Sequence, residues 1–331
     1  MNIKVSVLIA ARNEENNIDY CLSALINQDT SFDFEILVGN DNSSDLTGDK
    51  VSHWASKYSN ISLYSITTKI SNLEGKANVL AQLAKQAKGE YLLFTDADTA
   101  VNRYWISSMV SSLENFDMVA GVTITGGEQF FSRIQKADFI SLFSIASQFN
   151  NLNLPTSACG NNMGIKTDVY NQVGTFENIP FSIIEDYALS KAVKKNGFQL
   201  KYLFSKNEIA VVKPIITSKE YFQQRIRWMK GSLELPFFMT VSVFLRCLLL
   251  PFFILLSGYY FENTVLFFGF LWIVNILSLL KAYKKLDLKF DLEIVCYFPI
   301  NLVLTFATIC NYLVSKKIIW KDRVYAKKTS K

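Results

Sequence analysis

A single histidine, His53, is all the imidazole this 331-residue chain contains, so a metal centre that uses histidine is not expected. On the helix pattern after the second strand, His53 reads as a structural residue. The five cysteines, Cys21, Cys159, Cys247, Cys296 and Cys310, include no C-x-x-C pair. An odd, scattered set in a reducing compartment means free thiols rather than a disulfide frame. A glycine-rich phosphate loop is also missing, with neither G-x-G-x-x-G after the first strand nor G-x-x-x-x-G-K-[ST] anywhere. That disfavours a dinucleotide-binding dehydrogenase and a P-loop NTPase. The opening "MNIKVSVLIAARNEE" has only a short apolar run, stopped by Arg12, Glu14 and Glu15. No leader is expected, and the N-terminal part is expected to stay in the cytoplasm.

Apolar residues are plentiful. Half of the residues are hydrophobic, and the excess lies at the C-terminal end. From about Pro236 onward, three apolar blocks approach the length needed to cross a bilayer core of roughly 30 Å. They cover about 237–261, 264–280 and 291–314. The net charge of +5 is modest, but the basic segments "KAYKKLDLK" (281–289) and "SKKIIWKDRVYAKKTSK" (315–331) abut these blocks. By the positive-inside tendency both face the cytoplasm and touch anionic lipid, and no nucleic-acid partner is expected. The cytoplasmic sides of the polar part, the 281–289 loop and the tail demand even numbers of crossings. The first two blocks satisfy this as a hairpin, whereas the third is too short for two spans. Pro299, Asn301 and Asn311 in it allow a re-entrant or interfacial segment, and Arg246 within the first block needs a partner or a snorkelling path. The expectation is a cell-membrane protein with two or three spans and its polar part on the cytoplasmic side.

Before about residue 232, strand and helix patterns alternate. "VSVLIAA", "FEILVGND", "ISLYSIT", "YLLFTDAD" and "DMVAGVTIT" read as strands. Between the first two, Ile18, Cys21, Leu22, Leu25 and Ile26 fall on one helical face. Such alternation implies an α/β fold with a mostly parallel, Rossmann-like sheet flanked by helices, and a ligand site at the C-terminal strand ends. Those ends are acidic: Glu14 and Glu15 after the first strand, Asp41 and Asp45 after the second, Asp96 and Asp98 after the fourth. Taken alone, the D-x-D of Asp96 and Asp98 fits either a turn that caps the next helix or a pair of hard ligands for a divalent cation. Carboxylates repel phosphates unless a cation lies between them, so a nucleoside diphosphate bridged by Mg²⁺ or Mn²⁺ reconciles an acidic edge with a nucleotide site. Glu185 and Asp186 open a further helix pattern, where the dipole favours acids. Gln224, Arg227 and Trp228 share one side of another, which suits either a cleft or a membrane surface.

In order, "VSVLIAARNEE", "EILVGNDNSSDLT", "EGKANVL", "LLFTDADT", "SACGNNMGIKTDVYNQVGTF", "IIEDYALS" and "QQRIRW" resemble the successive motifs of the family 2 glycosyltransferases, over roughly residues 3–232. The resemblance implies the GT-A fold over 1–232, a membrane region over 233–315 with transmembrane or interfacial helices, and a basic tail over 316–331. It further implies that Glu14 and Asp41 hold the nucleotide base and ribose, and that Lys76 approaches the nucleotide or its diphosphate. Asp98 would be the direct metal ligand, with Asp96 nearer the ribose or uracil. Asp186, beside Glu185, would be the general base of an inverting transfer. Arg227 would pair with the departing diphosphate and Gln224 would lie beside the donor. Trp228 would stack on the acceptor sugar, with Asn161 and Asn162 near sugar hydroxyls. Where the family commonly has proline after the first strand, this chain has Ala10 and Ala11, and the frequent D-D-G-S reads Asn40, Asp41, Asn42, Ser43.

The expected activity is therefore metal-dependent movement of one sugar from a nucleotide diphosphate sugar, such as a UDP-sugar, to a lipid-like or glycan acceptor at the cytoplasmic membrane face. A processive polysaccharide synthase and a non-catalytic sugar-nucleotide-binding scaffold are the alternatives.

Overall fold

The computed structural model describes residues 3–154, 156–180, 182, 184–233 and 237–315, and the backbone of 317–320 and 323–326. The chain divides into two compact units, one of residues 1–125 and 142–213, the other of residues 126–141 and 214–331.

The first unit begins with β1 (Val5–Ala11), α1 (Ile18–Ile26), β2 (Phe34–Asn40), α2 (Thr47–Lys57), β3 (Ile61–Ser65), α3 (Gly75–Gln86) and β4 (Tyr91–Asp96). Next come β5 (Thr99–Val101), α4 (Trp105–Asn115), β6 (Met118–Ala120) and β7 (Val122–Thr125). Helix α5 (Phe130–Asn151) gives its first half to the second unit. The first unit is completed by β8 (Asn162–Lys166), α6 (Thr167–Gln172), α7 (Thr175–Asn178), α8 (Glu185–Lys195), β9 (Leu200–Tyr202) and β10 (Ile209–Val212).

A seven-stranded sheet runs in the order β3-β2-β1-β4-β8-β6-β9. Strands β3, β2, β1 and β4 are parallel, and β8 is antiparallel to both β4 and β6. The central strands are apolar on both faces because helices cover both. Val5, Val7, Leu8 and Ile9 have no exposure, each such burial contributing about 1.5–3 kcal/mol. On α1, Ile18, Cys21, Leu22 and Leu25 are buried as the periodicity predicts, and Ile26 lies at the margin. The one apolar run expected as a single strand, "DMVAGVTIT", is broken at Gly121. A Cβ there would lie 2.5 Å from Asn162 Oδ1 and 2.7 Å from the Glu208 carbonyl oxygen. The chain uses this close approach to leave the large sheet as β6 and join a three-stranded one, β5-β10-β7, as β7.

The second unit holds α9 (Ser218–Ser232), α10 (Phe237–Ser257), α11 (Phe261–Lys285), α12 (Glu293–Val314) and a backbone hairpin of β11 (Lys317–Trp320) and β12 (Arg323–Ala326). Helix α9 is capped by Thr217, whose hydroxyl accepts from the Glu220 N–H, the arrangement that satisfies an orphan first-turn donor. Among the described residues, three helices are long and apolar enough to cross a membrane: Met239–Ser257, Phe261–Lys285 and Glu293–Val314. Arg246, the charge that a span would carry, is partnered within this unit by the Tyr297 hydroxyl at 2.6 Å and Asn301 Oδ1 at 2.9 Å. Of the basic tail expected over 316–331, the side chains and the residues outside the hairpin lie beyond the described residues.

Candidate active site

The loops after β1 and β2 are laced together. Asn13 and Asn42 adopt left-handed backbone, with φ of 51° each, a conformation asparagine tolerates better than most residues. The Ser44 N–H donates to Asn13 Oδ1 and the Asn13 N–H to Ser43 Oγ. Arg12 donates to the Asp41 carbonyl oxygen at 2.8 Å, fixing the turn that carries Asp41. Glu14 is 4% exposed and accepts from Asn17 Nδ2 at 2.8 Å. The edge of the sheet therefore holds Glu14 and Asp41 on a rigid double loop. His53 is an exposed residue of α2.

Register places Asp96 opposite Ala10 of β1, at the C-terminal end of β4. Because β8 runs antiparallel, it is the start of that strand which reaches this edge, with Asn162 opposite Thr95. The segment Cys159–Asn161 is thereby delivered beside the D-x-D, although more than sixty residues separate the two in sequence.

The chemistry gathers around Lys76, on the first turn of α3. Its ammonium lies 2.6 Å from Asp96 Oδ1 and 3.1 Å from Glu185 Oε1, and donates to the Gly160 carbonyl oxygen at 3.1 Å. Burial works against this charge, but Asp96 and Glu185 outweigh it and hold the ammonium far above its ordinary pKa. Asp186 lies next to this cluster. Its Oδ2 accepts from the Gly160 N–H at 2.7 Å and its Oδ1 from the Tyr187 N–H at 2.7 Å. Each carboxylate oxygen can accept twice, so acceptor capacity remains. Burial and the neighbouring Glu185 charge push the Asp186 carboxyl up to about 7, against the opposing pull of Lys76 and the two N–H donors. A carboxylate tuned to that range can take a proton near neutrality and release it again.

Gly160 is the residue that sequence reasoning passed over. A Cβ there would sit 3.0 Å from Lys76 Nζ, 3.1 Å from Glu185 Oε1 and 3.2 Å from Asp186 Oδ2, so the three charged tips converge only because the position is bare. Gly160→Ala is expected to lower transfer roughly ten- to hundredfold by displacing those tips, with little change in the thermal midpoint. Comparison of initial rates and melting curves checks this. Ser190, one turn into α8, was also missed. It donates to the Asp186 carbonyl oxygen and accepts from the Ala158 N–H, tying the 158–160 segment to α8. A glycine among polar residues just before an apolar strand was the one signal of the first, and nothing in the sequence marks the second.

The two asparagines part company. Asn161 is half-buried and its Oδ1 accepts from Thr123 Oγ1 and Cys159 Sγ. Asn162 corrects the expectation of a sugar contact: it has no exposure. Its Oδ1 accepts from Trp105 Nε1, and its Nδ2 donates to the carbonyl oxygens of Val122 and Glu208. It braces the point where the two sheets diverge, and its side-chain amide is consumed by the fold.

For a divalent cation, the structure offers hard oxygens without a cage. Among the described residues no group of three His, Cys, Asp or Glu side chains is arranged to hold an ion. Mg²⁺ and its kin ordinarily take one or two carboxylates and complete their shell with phosphates and water. The thiol of Cys21, on α1, reads the local field. Burial pushes its pKa well up, and Asp98, Asp96 and Glu14 push it further. Three carboxylates thus act on one buried spot, while Lys76 offsets Asp96. The Asp98 carboxylate, which accepts from the Thr99 hydroxyl at 3.1 Å, fits a cation of this kind.

Gln224, Arg227 and Trp228 are carried by α9 of the second unit. The Trp228 ring meets Phe139 edge to face at 5.5 Å and carries the Arg225 guanidinium 4.6 Å from its centroid.

The family model described as Glycosyl transferase family 21 matches residues 4–330, the number differing from the family 2 that the motifs resemble. A probable glycosyltransferase, YdaM, of Bacillus subtilis is 28% identical over 246 residues, which cover 69% of this chain and 55% of that protein. A poly-beta-1,6-N-acetyl-D-glucosamine synthase of Staphylococcus aureus is 26% identical over 251 residues, covering 72% of this chain and 57% of that protein. The chain thus spans just over half the length of these curated relatives. Among solved structures, the mannosyltransferase PcManGT of Pyrobaculum calidifontis, in complex with GDP-Man and Mn²⁺, has a TM-score of 0.56 at 17% identity. The match covers 94% of this chain and 87% of that one, and it bears on the fold alone.

Proposed function

Because the chain belongs to glycosyl transferase family 21, and is therefore a glycosyltransferase, we propose that it moves a single sugar from a nucleoside-diphosphate sugar to a lipid-like acceptor, inverting the anomeric centre. The observation that carries this reading is the Asp186 carboxyl, raised to about 7 and braced by the Gly160 N–H beside Lys76 and the acidic strand end. Asp186 takes the proton of the acceptor hydroxyl as its oxygen attacks the anomeric carbon, and the bond to the diphosphate breaks on the opposite side. Glu185 raises the affinity of Asp186 for that proton and shares Lys76 with Asp96. Glu14 and Asp41 hold the base and ribose, and Lys76 faces the diphosphate. The motif resemblance alone assigns Arg227 to the leaving diphosphate, Gln224 to the donor and Trp228 to the acceptor, roles that suit a guanidinium and an aromatic ring. Asn161 remains a candidate contact for a sugar hydroxyl.

Asp98, with Asp96, would hold Mg²⁺ or Mn²⁺, which when bound offsets the charge of the diphosphate. The Mn²⁺ found with PcManGT supports this assignment only by likeness of fold.

The three apolar helices support membrane association. We place the catalytic part on the cytoplasmic side of the cell membrane, with α10 and α11 crossing as a hairpin. We place α12 at the interface as a re-entrant or surface segment, an arrangement that Pro299, Asn301 and Asn311 within it support. Both basic segments then stay on one side.

A processive synthase is the second reading, favoured by the poly-N-acetylglucosamine synthase relatives. The test is transfer from a panel of radiolabelled nucleotide sugars by the detergent-solubilised full chain, with membrane lipid extract as acceptor source and with Mg²⁺, Mn²⁺ or EDTA. Label in lipid that requires the metal is expected. Label in a high-molecular-weight polymer replaces single transfer by polymerisation, and transfer undiminished in EDTA removes the cation from the reading.

A further inference from the structure

The second unit contains a buried polar cluster that the proposed reaction does not use. Its centre is Asp138, in the first half of α5, with a side chain 13% exposed. Its Oδ2 pairs with Arg225 of α9 at 2.7 Å. Its Oδ1 accepts from the Tyr297 hydroxyl at 2.8 Å and Asn301 Nδ2 at 3.1 Å, both on α12, and lies 3.9 Å from Arg246 of α10. One carboxylate therefore gathers donors from two helices and a further cation from a third. Although burial opposes its charge, Arg225 and Arg246 hold the carboxyl below its ordinary pKa.

What this grip controls is visible one residue on. Phe139 packs edge to face on Trp228, and the guanidinium that Asp138 holds lies over three rings: Trp228 at 4.6 Å, Tyr221 at 4.9 Å and Phe139 at 5.8 Å. Among the described residues, the Nε and one terminal nitrogen of Arg225 are buried without a hydrogen-bond partner, so its pairing with Asp138 and its stacking on aromatic faces set where it lies. Neighbouring residues of α5 thus fix Trp228 from two directions, directly through Phe139 and indirectly through Arg225.

We propose that Asp138 is a positioning residue for the transfer reaction, fixing the orientation of the Trp228 ring through Arg225. This rests on the reading of Trp228 as the surface that receives the acceptor. An exposed ion pair would be a weak device for such a task, whereas a buried one, satisfied by two further donors, has one preferred geometry.

The experiment uses the full chain in detergent micelles labelled with 5-fluorotryptophan. Its five tryptophans give five ¹⁹F resonances, and Trp228→Phe assigns the one that matters. Asp138→Asn and Arg225→Met are each expected to move the Trp228 resonance, and the double variant to move it no further than Arg225→Met alone. Transfer from the nucleotide sugar to lipid extract is expected to fall at least tenfold in Asp138→Asn with the donor KM unchanged. Asp138→Glu, which keeps the charge, is expected to restore much of both. A Trp228 resonance that stays in place in Asp138→Asn overturns the proposal. So does a fall in transfer of the same factor when Trp228 is already Phe. If Asp138→Asn does not fold, Arg225→Met in the two backgrounds makes the same decision. A native chain without transfer activity would count against the proposed function, while the resonances would still report on the positioning.

Discussion

Asp186→Asn is expected to slow sugar transfer about 10³-fold, within the 10²–10⁴ range that a positioned general base contributes, while nucleotide-sugar affinity stays within about twofold. The amide oxygen can still accept from the Gly160 N–H, so the loop keeps its brace and only the basicity is lost. In the native chain the rate should climb with pH through about 7 as the carboxyl releases its proton, and the residual rate of the variant should show no such limb. Stability carries the opposite sign. With a folded pKa raised from 3.8 to about 7, the native state holds this proton more tightly than the unfolded chain. The contribution is complete below about pH 4 and declines as pH rises through 7. Asp186→Asn should therefore gain in thermal midpoint relative to the native chain at pH 8 but not at pH 4. Rate profiles and melting curves at the two pH values test both statements, and a retained pH limb in the variant removes Asp186 as the base.

Lys76→Met is expected to do comparable damage by a different route. The substitution keeps the unbranched stem and deletes the one cation that Asp96 and Glu185 share at 2.6 and 3.1 Å. Breaking a buried pair by removing one partner typically costs about 3–5 kcal/mol, on the order of a 10 °C fall in melting temperature for a domain of this size. Lys76 also lowers the Asp186 pKa, so its loss should shift the acidic limb of the rate profile upward from about 7. A limb that does not move in Lys76→Met would falsify the electrical link between the two groups.

The alternation of strand and helix patterns was enough to read β1, β2 and β4, because these strands are buried on both faces and keep short, uninterrupted apolar runs, whereas β8 and β9 of the same sheet carry no such run. The reading erred where a tertiary close approach decides the outcome. Nothing local in "DMVAGVTIT" shows that Gly121 must leave room for the Asn162 amide and so split one strand into two. The acidic edge was legible because each carboxylate follows its own strand. The convergence on Lys76 was not, since it depends on β8 running against its neighbour. That reversal brings Gly160 to the D-x-D, and no pattern in the sequence sets strand direction. Asn162 reads as polar in sequence and therefore as a candidate contact. Only its complete enclosure, with Trp105 on one side and two carbonyl oxygens on the other, reveals a brace.

The reversed strand also sets the order in which the chain becomes competent during synthesis. Lys76 meets the Gly160 carbonyl oxygen across 84 positions, and the Gly160 N–H meets Asp186 across 26 more, so the cluster cannot close until α8 has emerged. Closing loops of that span delays assembly more than it weakens the finished product. About forty further residues, a few seconds of elongation at about 5–20 residues per second, then pass before the first long apolar helix begins. Lys76 and the four carboxyl-bearing residues Asp96, Asp98, Glu185 and Asp186 are thus all in the chain before its first long apolar helix is made.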